Sequence, residues 1–284
     1  LGATEDGIIV RADDVNDAQF TAVTNSPKVR ILFAAGGMLI GANGSLSKDG
    51  TTIASGTDYW FASDEHNYSG WVPSTLAAPS TSVAAWGPLN SPAGAVVAGG
   101  PLGHRAVLYK RGSIFVGDYT GPVDKWLFPC VSDSVGCVGP DALVIAQDRH
   151  WFCSGDNFYM FDGSRPIPIG DDLRDWFAAN TFAGEMPNMS GSYDPTHNAI
   201  IWTFDSIKMA AGVSGVRSGV AYSIDTGRWG RADYNGSMIK IEPGIKGLEL
   251  FNPIASGQLE LGALIAGNDG YIQVASDGYL APDG

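Results

Sequence analysis

Residues 149–163 read RHWFCSGDNFYMFDG and carry the clearest strand and turn signal in the chain. Two short runs rich in aromatic residues, 149–154 and 157–161, are separated by Gly155 and Asp156. Aromatic and β-branched residues favour strands, and glycine beside aspartate supplies the backbone conformation of a tight turn. The stretch therefore predicts two antiparallel strands joined by a hairpin.

Runs of the same kind recur along the whole chain. Short segments rich in Val, Ile and aromatic residues are each stopped by Gly, Asp-Gly or Asn-Gly, a pattern typical of hairpin-connected sheets. The predicted fold class is therefore all-β. Besides the two strands above, the predicted strands are residues 28–34, 37–42, 58–62, 93–98, 106–110, 113–118, 142–146, 190–193, 199–204, 219–223, 239–241, 259–267 and 270–275.

One segment, residues 171–179, predicts a short helix. Asp171 can cap the first turn, and early acidic residues suit the positive end of the helix dipole. Leu173, Trp176 and Phe177 fall on one face at helical spacing, which indicates packing against a sheet edge.

Three turns share a similar sequence, at residues 161–163, 224–227 and 268–270. Their aspartates are spaced by 63 and then 44 residues, so a regular WD-type repeat is not supported. Propeller blades tolerate insertions in their loops. The chain is therefore predicted to be a single degenerate β-propeller-like domain over residues 1–284, with one short helix. It begins at Leu1 and not at Met, so we expect an N-terminal segment to be missing or atypical.

The charge balance disfavours nucleic-acid binding. The chain has 17 Lys and Arg against 30 Asp and Glu, a formal net charge of -13, which opposes attraction to phosphates or anionic lipid. No apolar run of about 18 residues is present, so no membrane span is expected. The three cysteines are predicted to be reduced thiols, because an odd count in a long chain is no disulfide framework.

The local sequence suggests two metal hypotheses: the three aspartates of residues 171–179, which are better explained as solvated first-turn acids, and a zinc site at His150, Cys153 and Cys137. On a strand over 149–154, His150 and Cys153 face opposite sides of the sheet and cannot share a metal directly. We therefore predict packing roles for these side chains, with no metal and no cofactor.

No catalytic residue is predicted. The adjacent pairs Asp13-Asp14 and Asp171-Asp172 are typical of solvated surface acids, although paired carboxylates can serve glycoside hydrolysis. Ser63-Asp64 and residues 47–52 each fail the Ser-x-Asp-x-Gly-x-x-x-Trp pattern of sialidase propellers, so both are predicted to stabilise turns. Nucleophile elbows, P-loops and dinucleotide-binding glycine motifs are absent from the sequence. An enzyme is therefore not expected.

The eight tryptophans allow two interpretations. A Trp that ends an apolar strand usually packs in the core, whereas exposed Trp can form a stacking platform for sugars. The positions that distinguish the two are Trp71, Trp86, Trp126 and Trp229. Trp229, directly after the 225–227 turn, is predicted to close a blade by packing.

Several phrases within residues 55–235 resemble the propeller-type tail nozzle or hub proteins of short-tailed bacteriophages, also called packaged-DNA stabilisation proteins. An aromatic strand with Ser-Asp, a short loop and Trp-x-Pro is one such phrase. The phrases that carry the resemblance are YWFASD (59–64) with YSGWVP (68–73), VLYKRGSIFV (107–116) with YTG (119–121), VSDSVGCVGP (131–140), NFYMFDG (157–163), YDP (193–195) with Asn198, and YSIDTGRW (222–229).

The resemblance implies a structural virion protein of the phage tail, assembled in the host cytoplasm. It implies a homohexameric ring that forms the conduit for genome ejection, with tail adaptor or portal-side proteins and tail fibres as neighbours. Genomic DNA would pass without specific binding. An inner wall lined by bases such as Arg105, Lys110 and Arg111 would contradict a passive conduit.

Two other functions remain open from the sequence. A carbohydrate-recognising propeller, as lectin or glycosidase on a host surface polymer, would expose Trp and Tyr around a pocket with convergent acids. The third alternative is a bacterial β-propeller interaction module unrelated to phage.

Overall fold

The structure is a computed structural model, and it describes residues 2–3, 6–11, 21–72, 82–123, 125–181, 184, 186–205, 217–234, 236–239, 264–267 and 272–274. Several predictions lie outside these residues: the pair Asp13-Asp14, Pro73, the turn at 268–270, and parts of the strands predicted at 239–241, 259–267 and 270–275. No helix among the described residues is long and apolar enough to cross a membrane.

Two compact units divide the chain. The first unit comprises Leu1–Pro140 and Asp162–Arg165, and the second comprises Asp141–Phe161 and Pro166–Gly284. The prediction of one domain over residues 1–284 stays a prediction.

The first unit holds three antiparallel sheets. Strands follow chain order in the first two, and in the third β10 pairs with β9, β11 and β12. The strands are β1 (Gly2–Ala3), β2 (Ile9–Arg11) and β3 (Thr21–Ala22); β4 (Lys28–Ala35), β5 (Met38–Lys48), β6 (Thr51–Ala62) and β7 (Ala85–Pro88); then β8 (Val96–Leu102), β9 (Arg105–Lys110), β10 (Ile114–Tyr119), β11 (Trp126–Leu127) and β12 (Cys130–Ser132).

The second unit holds two four-stranded sheets and a three-stranded sheet, all antiparallel and in chain order. A short helix and a 3-10 turn lie between the first and second of these sheets. The elements are β13 (Val144–Ala146), β14 (Arg149–Cys153), β15 (Phe158–Phe161) and β16 (Pro166–Pro168); α1 (Arg174–Asn180) and the 3-10 turn Met186–Asn188; β17 (Ser190–Asp194), β18 (Ala199–Phe204), β19 (Arg217–Ser223) and β20 (Trp229–Tyr234); then β21 (Gly236–Ile239), β22 (Leu264–Gly267) and β23 (Ile272–Val274).

The all-β prediction is confirmed, since strands account for 54% of the structure and helical turns for 5%. Each sheet is built from one continuous stretch of chain, which is also how propeller blades are built. None of the described sheets closes on itself. The propeller-like arrangement therefore stays a prediction.

Alternation along β4 shows why the first unit folds as it does. Val29, Ile31, Phe33 and Ala35 are buried, while Lys28 and Arg30 are exposed on the other face. Ile31 and Phe33 enter a core shared with β5, β6, β8, β9 and β10. A side-chain period of two is what a strand with one buried face requires.

The strand predicted at 37–42 is wrong at both ends. Gly36 and Gly37 have φ of 56° and 76°, so both form the hairpin turn before β5, where two positive φ angles match strand twist. At the other end β5 continues to Lys48 through a bulge at Asn43 and Gly44, and β6 begins at Thr51 rather than Asp58. A bulge keeps pairing on both sides of a sequence that resembles a turn.

The helix prediction is confirmed in position but wrong at its start. The N-cap is Leu173, and its side chain makes no capping hydrogen bond. Asp171 lies outside the helix, where its Oδ1 accepts a hydrogen bond from Asn157 Nδ2 at 2.7 Å. Long-range pairing with Asn157 therefore replaces the local cap. The predicted apolar face does pack, since the Phe177 ring lies 5.0 Å from that of Phe158 in β15.

Apart from β2, the strands that the sequence pattern missed lie at sheet edges. They include β7, β11, β12 and β16, each of two to four residues. Three edge strands carry proline, at Pro88 in β7, Pro101 in β8 and Pro166 with Pro168 in β16. Proline on an edge removes a donor and blocks further strand addition.

Candidate functional site

Polar side chains from three hairpin turns meet in the second unit, and we call Gln147, Tyr193, Asn198 and Asp225 the turn network. Gln147 lies in the two-residue turn between β13 and β14, where it and Asp148 have φ of 53° and 54°. Tyr193 and Asn198 flank the β17–β18 turn, and Asp225 lies in the β19–β20 turn. The network therefore joins two neighbouring sheets at their turns.

Asn198 is the centre of the turn network. Its Oδ1 accepts hydrogen bonds from Gln147 Nε2 at 2.5 Å and from the Tyr193 hydroxyl at 3.0 Å. Its Nδ2 donates to Asp225 Oδ1 at 2.6 Å, and its backbone carbonyl accepts from the Ile224 amide at 2.9 Å. One amide side chain thus holds three turns in a fixed relation.

Asp194, next to the turn network, shapes the β17–β18 turn from inside. Its side chain is 1% exposed, and Oδ1 accepts hydrogen bonds from the amides of Thr196 at 2.9 Å and His197 at 3.4 Å. Its Oδ2 lies 2.7 Å from Nδ1 of His197, an ion pair when that imidazole is protonated. An aspartate that accepts from amides two and three residues ahead is a turn-forming element. The carboxylate is therefore committed to the hairpin.

The phrases singled out from the sequence are brought together here. Tyr193, Asp194, Asn198 and Asp225 all lie at the turns that they were predicted to form. Gln147 was missed, because it is 46 and 51 residues from its partners and its own sequence context shows only a turn. Chemically, the donors and acceptors of the turn network hydrogen-bond to one another across the turns, so the arrangement stabilises the turns.

An aromatic cluster lies behind these turns. The Trp229 ring is 5.0 Å from both Phe158 and Tyr222 and 5.9 Å from Trp202, and its Nε1 donates to the Ile169 carbonyl at 2.7 Å. Trp229 is half-buried and packs where the sequence predicted that it closes a sheet. Of the other three positions, Trp71 and Trp126 are buried and Trp86 is half-buried. Burial removes Trp71 and Trp126 as sugar-stacking rings.

Replacing Trp229 with alanine is expected to destabilise the fold by about 3 kcal/mol, the low end for a packed aromatic side chain. Loss of ring contacts and of the indole hydrogen bond both contribute. Thermal unfolding followed by circular dichroism measures the effect. The control is W229F, which keeps a ring and loses the hydrogen bond. Its melting temperature should lie between that of the unaltered chain and that of W229A. An unchanged melting temperature for W229A together with lost sugar binding would contradict the packing role and favour a lectin.

Ser63 and Asp64 stabilise a turn, as predicted. The Ser63 hydroxyl accepts a hydrogen bond from the Leu39 amide at 2.9 Å. Asp64 Oδ1 accepts from the amides of Glu65 at 3.2 Å and Val83 at 2.8 Å. Ser63 thus ties the end of β6 to β5, and Asp64 ties it to the segment that leads into β7.

The predicted alternation around His150 is present in the structure. β14 pairs regularly with β13 and β15, so His150 and Phe152 face one side, and Trp151 and Cys153 face the other. All four side chains are buried. The three cysteines are free thiols, with Cys130 exposed and the other two buried. Within the described ranges no group of three His, Cys, Asp or Glu side chains could hold a metal ion.

Lys110, one of the bases whose presence in a channel wall would contradict a passive conduit, is buried. It is 1% exposed, with Nζ donating to the carbonyls of Leu89 and Pro92 and lying 5.2 Å above the Phe115 ring. Desolvation by burial lowers the pKa of its ammonium group below the ordinary value. Lys110 therefore cannot line a channel. Arg105 is half-buried and donates to the Gly163 carbonyl at 3.4 Å, and Arg111 is exposed.

Comparison with known proteins adds no family: no protein-family model matches the chain, and no curated protein matches it significantly.

Proposed function

We propose that this protein is a structural subunit of a phage tail nozzle or hub ring, part of the conduit through which the genome is ejected, and not an enzyme. The observation that carries the proposal is the coincidence of architecture and motif. Antiparallel sheets of three to five strands follow one another along the chain, and the phrases that resemble nozzle proteins lie on their strands and turns. The fold proposed for the whole is a degenerate propeller.

Rigid sheets support this role. The turn network fastens neighbouring turns by hydrogen bonds of 2.5 to 3.0 Å, and the aromatic cluster fills the space behind them. Side-chain networks whose members satisfy one another make a local structure unique and stiff. A subunit that holds its shape under the pressure of a packaged genome needs such stiffness.

Protected edges support ordered assembly. The prolines of β7, β8 and β16 disfavour strand addition at these three sheet edges, which favours contacts between copies through side-chain surfaces there. A closed ring of identical subunits satisfies all copies equally. We propose a homohexamer in the virion tail, with adaptor or portal-side proteins and tail fibres as neighbours.

The ring is tested on the purified full chain by mass photometry and electron cryomicroscopy. We expect a particle six times the mass of the chain and a six-fold ring with a central channel. A monomer that binds a host surface polysaccharide would overturn the proposal in favour of a carbohydrate-binding propeller. A monomer that binds no glycan would favour an interaction module unrelated to phage.

Passage of DNA without binding gives a second expected result. The chain has 13 more acids than bases, 30 against 17, and the burial of Lys110 removes one of the few bases from any surface. Phosphate contacts by bases supply most non-specific affinity and weaken as salt rises. Fluorescence anisotropy with duplex DNA near physiological salt should show no binding. Sub-micromolar affinity at that salt would indicate a subunit that grips the genome.

A further inference from the structure

The first unit contains an open cleft of about 450 Å³ that none of the predicted motifs accounts for. Residues from β4, β5 and β6 form it, with one side completed by the segment before β2. The cleft, called here the Lys28–Arg30 cleft, is lined by Asp6, Gly7, Lys28, Val29, Arg30, Asn43, Gly44, Ser45, Ser55, Gly56 and Thr57.

Register explains how the sequence forms this cleft. Lys28 pairs with Ser45, and Ser45 pairs with Ser55, so these three side chains project from the same face of adjacent strands. In the next row Gly44 pairs with Val29 and with Gly56, on the opposite side of the pleat, and both glycines contribute only backbone to the cleft lining. A Cβ on Gly44 would overlap the Lys28 carbonyl oxygen, so only glycine permits this close pairing. The result is a polar depression across three strands.

Two cations lie beside each other on the same face. Lys28 and Arg30 are two residues apart on β4 and both are exposed. Neither forms an ion pair with any residue that the structure describes. Neighbouring like charges repel each other, and an anion bound between them removes that repulsion. In a chain of 30 acids and 17 bases, two adjacent bases are an unusual local charge, and Asp6 is the one acid among the described residues that line the cleft.

The remaining groups indicate the chemistry of the ligand. Ser45, Ser55 and Thr57 supply hydroxyl donors, while the Asn43 Nδ2 group is already occupied by the Val96 carbonyl at 2.9 Å. Arginine recognises oxyanions through two parallel donors, and lysine adds a point charge. The cleft lining contains no aromatic ring, so it lacks the stacking surface that neutral sugars prefer.

We propose that the Lys28–Arg30 cleft binds the phosphate group of a small phosphorylated molecule, with Arg30 and Lys28 as the charged contacts and the hydroxyls as further donors. Its volume is within the range of small-molecule sites. The proposal depends on the first unit alone and is independent of the ring.

Isothermal titration calorimetry of the full chain at low ionic strength tests this site with two probes, inorganic phosphate and glucose 6-phosphate. We expect both to bind, and affinity to fall as sodium chloride is added. R30Q and K28Q should each weaken binding about tenfold, since each loses one charge-assisted hydrogen bond. The double variant should show no measurable binding.

The matched control is R111Q, which removes the same charge from an exposed position in the same unit outside the cleft. It should bind both probes as the unaltered chain does. Equal loss in R111Q and R30Q would show a general charge effect and overturn the site. The absence of any heat of binding with both probes would also overturn the site. Unchanged binding by K28Q and R30Q, with circular dichroism showing that both variants are folded, would overturn it as well. Duplex DNA bound where both probes fail would likewise overturn it, in favour of a nucleic-acid surface.

Discussion

Replacing Trp202 with alanine is expected to lower the free energy of unfolding by about 3 to 5 kcal/mol, the largest effect of any substitution considered for the second unit. Trp202 lies in β18 and is 0% exposed. Its ring is 4.8 Å from Phe158 and 5.9 Å from Trp229, and its Nε1 donates to the Ala142 carbonyl at 3.0 Å. Alanine would leave a cavity and an acceptor without its donor, two losses that add.

Urea unfolding followed by intrinsic fluorescence and circular dichroism measures this change as a shift of the midpoint. V123A is the control, because Val123 is 86% exposed and its truncation should change stability by no more than about 0.5 kcal/mol. A conservative variant, W202F, should lose less than W202A since it refills part of the cavity. A W202A midpoint equal to that of V123A would show that the aromatic cluster does not stabilise the unit.

Substitution G136A is expected to destabilise the first unit by about 3 kcal/mol, the upper part of the range for an overpacked site. Gly136 is buried, and a Cβ there would overlap the Lys110 carbonyl oxygen and lie 2.6 Å from the Arg111 carbonyl carbon. These are backbone atoms, so no side chain can rotate away. The adjacent Cys137 amide donates to that same Lys110 carbonyl at 2.9 Å, so relief of the clash also disturbs this bond.

G112A is the matched control for G136A. The substitution adds the same methyl group two residues after Lys110. Beyond the neighbouring residues of the chain, no heavy atom lies within 4 Å of the added Cβ. It should be neutral or stabilise by a few tenths of a kcal/mol through the unfolded chain. Urea unfolding of both variants measures the difference between their midpoints. Equal midpoints would mean that residues 135–138 can move away from β9 without cost.

Local pattern predicted the strands well both where burial alternates, as in β4, and where a short apolar run is wholly buried, as in β18. β18 has the bounds predicted from sequence, Ala199–Phe204, and β4 differs by one residue. The pattern failed where a long-range contact overrides a local signal. Asn43 and Gly44 resemble a turn but form a bulge inside β5, and Asp171 resembles a cap but pairs with Asn157.

The candidate sites show the same division. Tyr193, Asn198 and Asp225 could be placed at turns from sequence, whereas Gln147 could not be joined to them. The Lys28–Arg30 cleft had one local signal: the order Lys-Val-Arg places both bases on one face of a strand. Its glycine floor could not be predicted, because that depends on Gly44 lying opposite Gly56.

By itself the sequence determined the class of fold, the positions of most strands and the hairpin turns, since extended and turn conformations are selected by neighbouring residues. Only the tertiary structure decided strand register, the burial of Lys110 and the meeting of three turns at Asn198. These depend on contacts between residues tens of positions apart. Their energy comes from packing and paired polar groups that no local window of sequence contains.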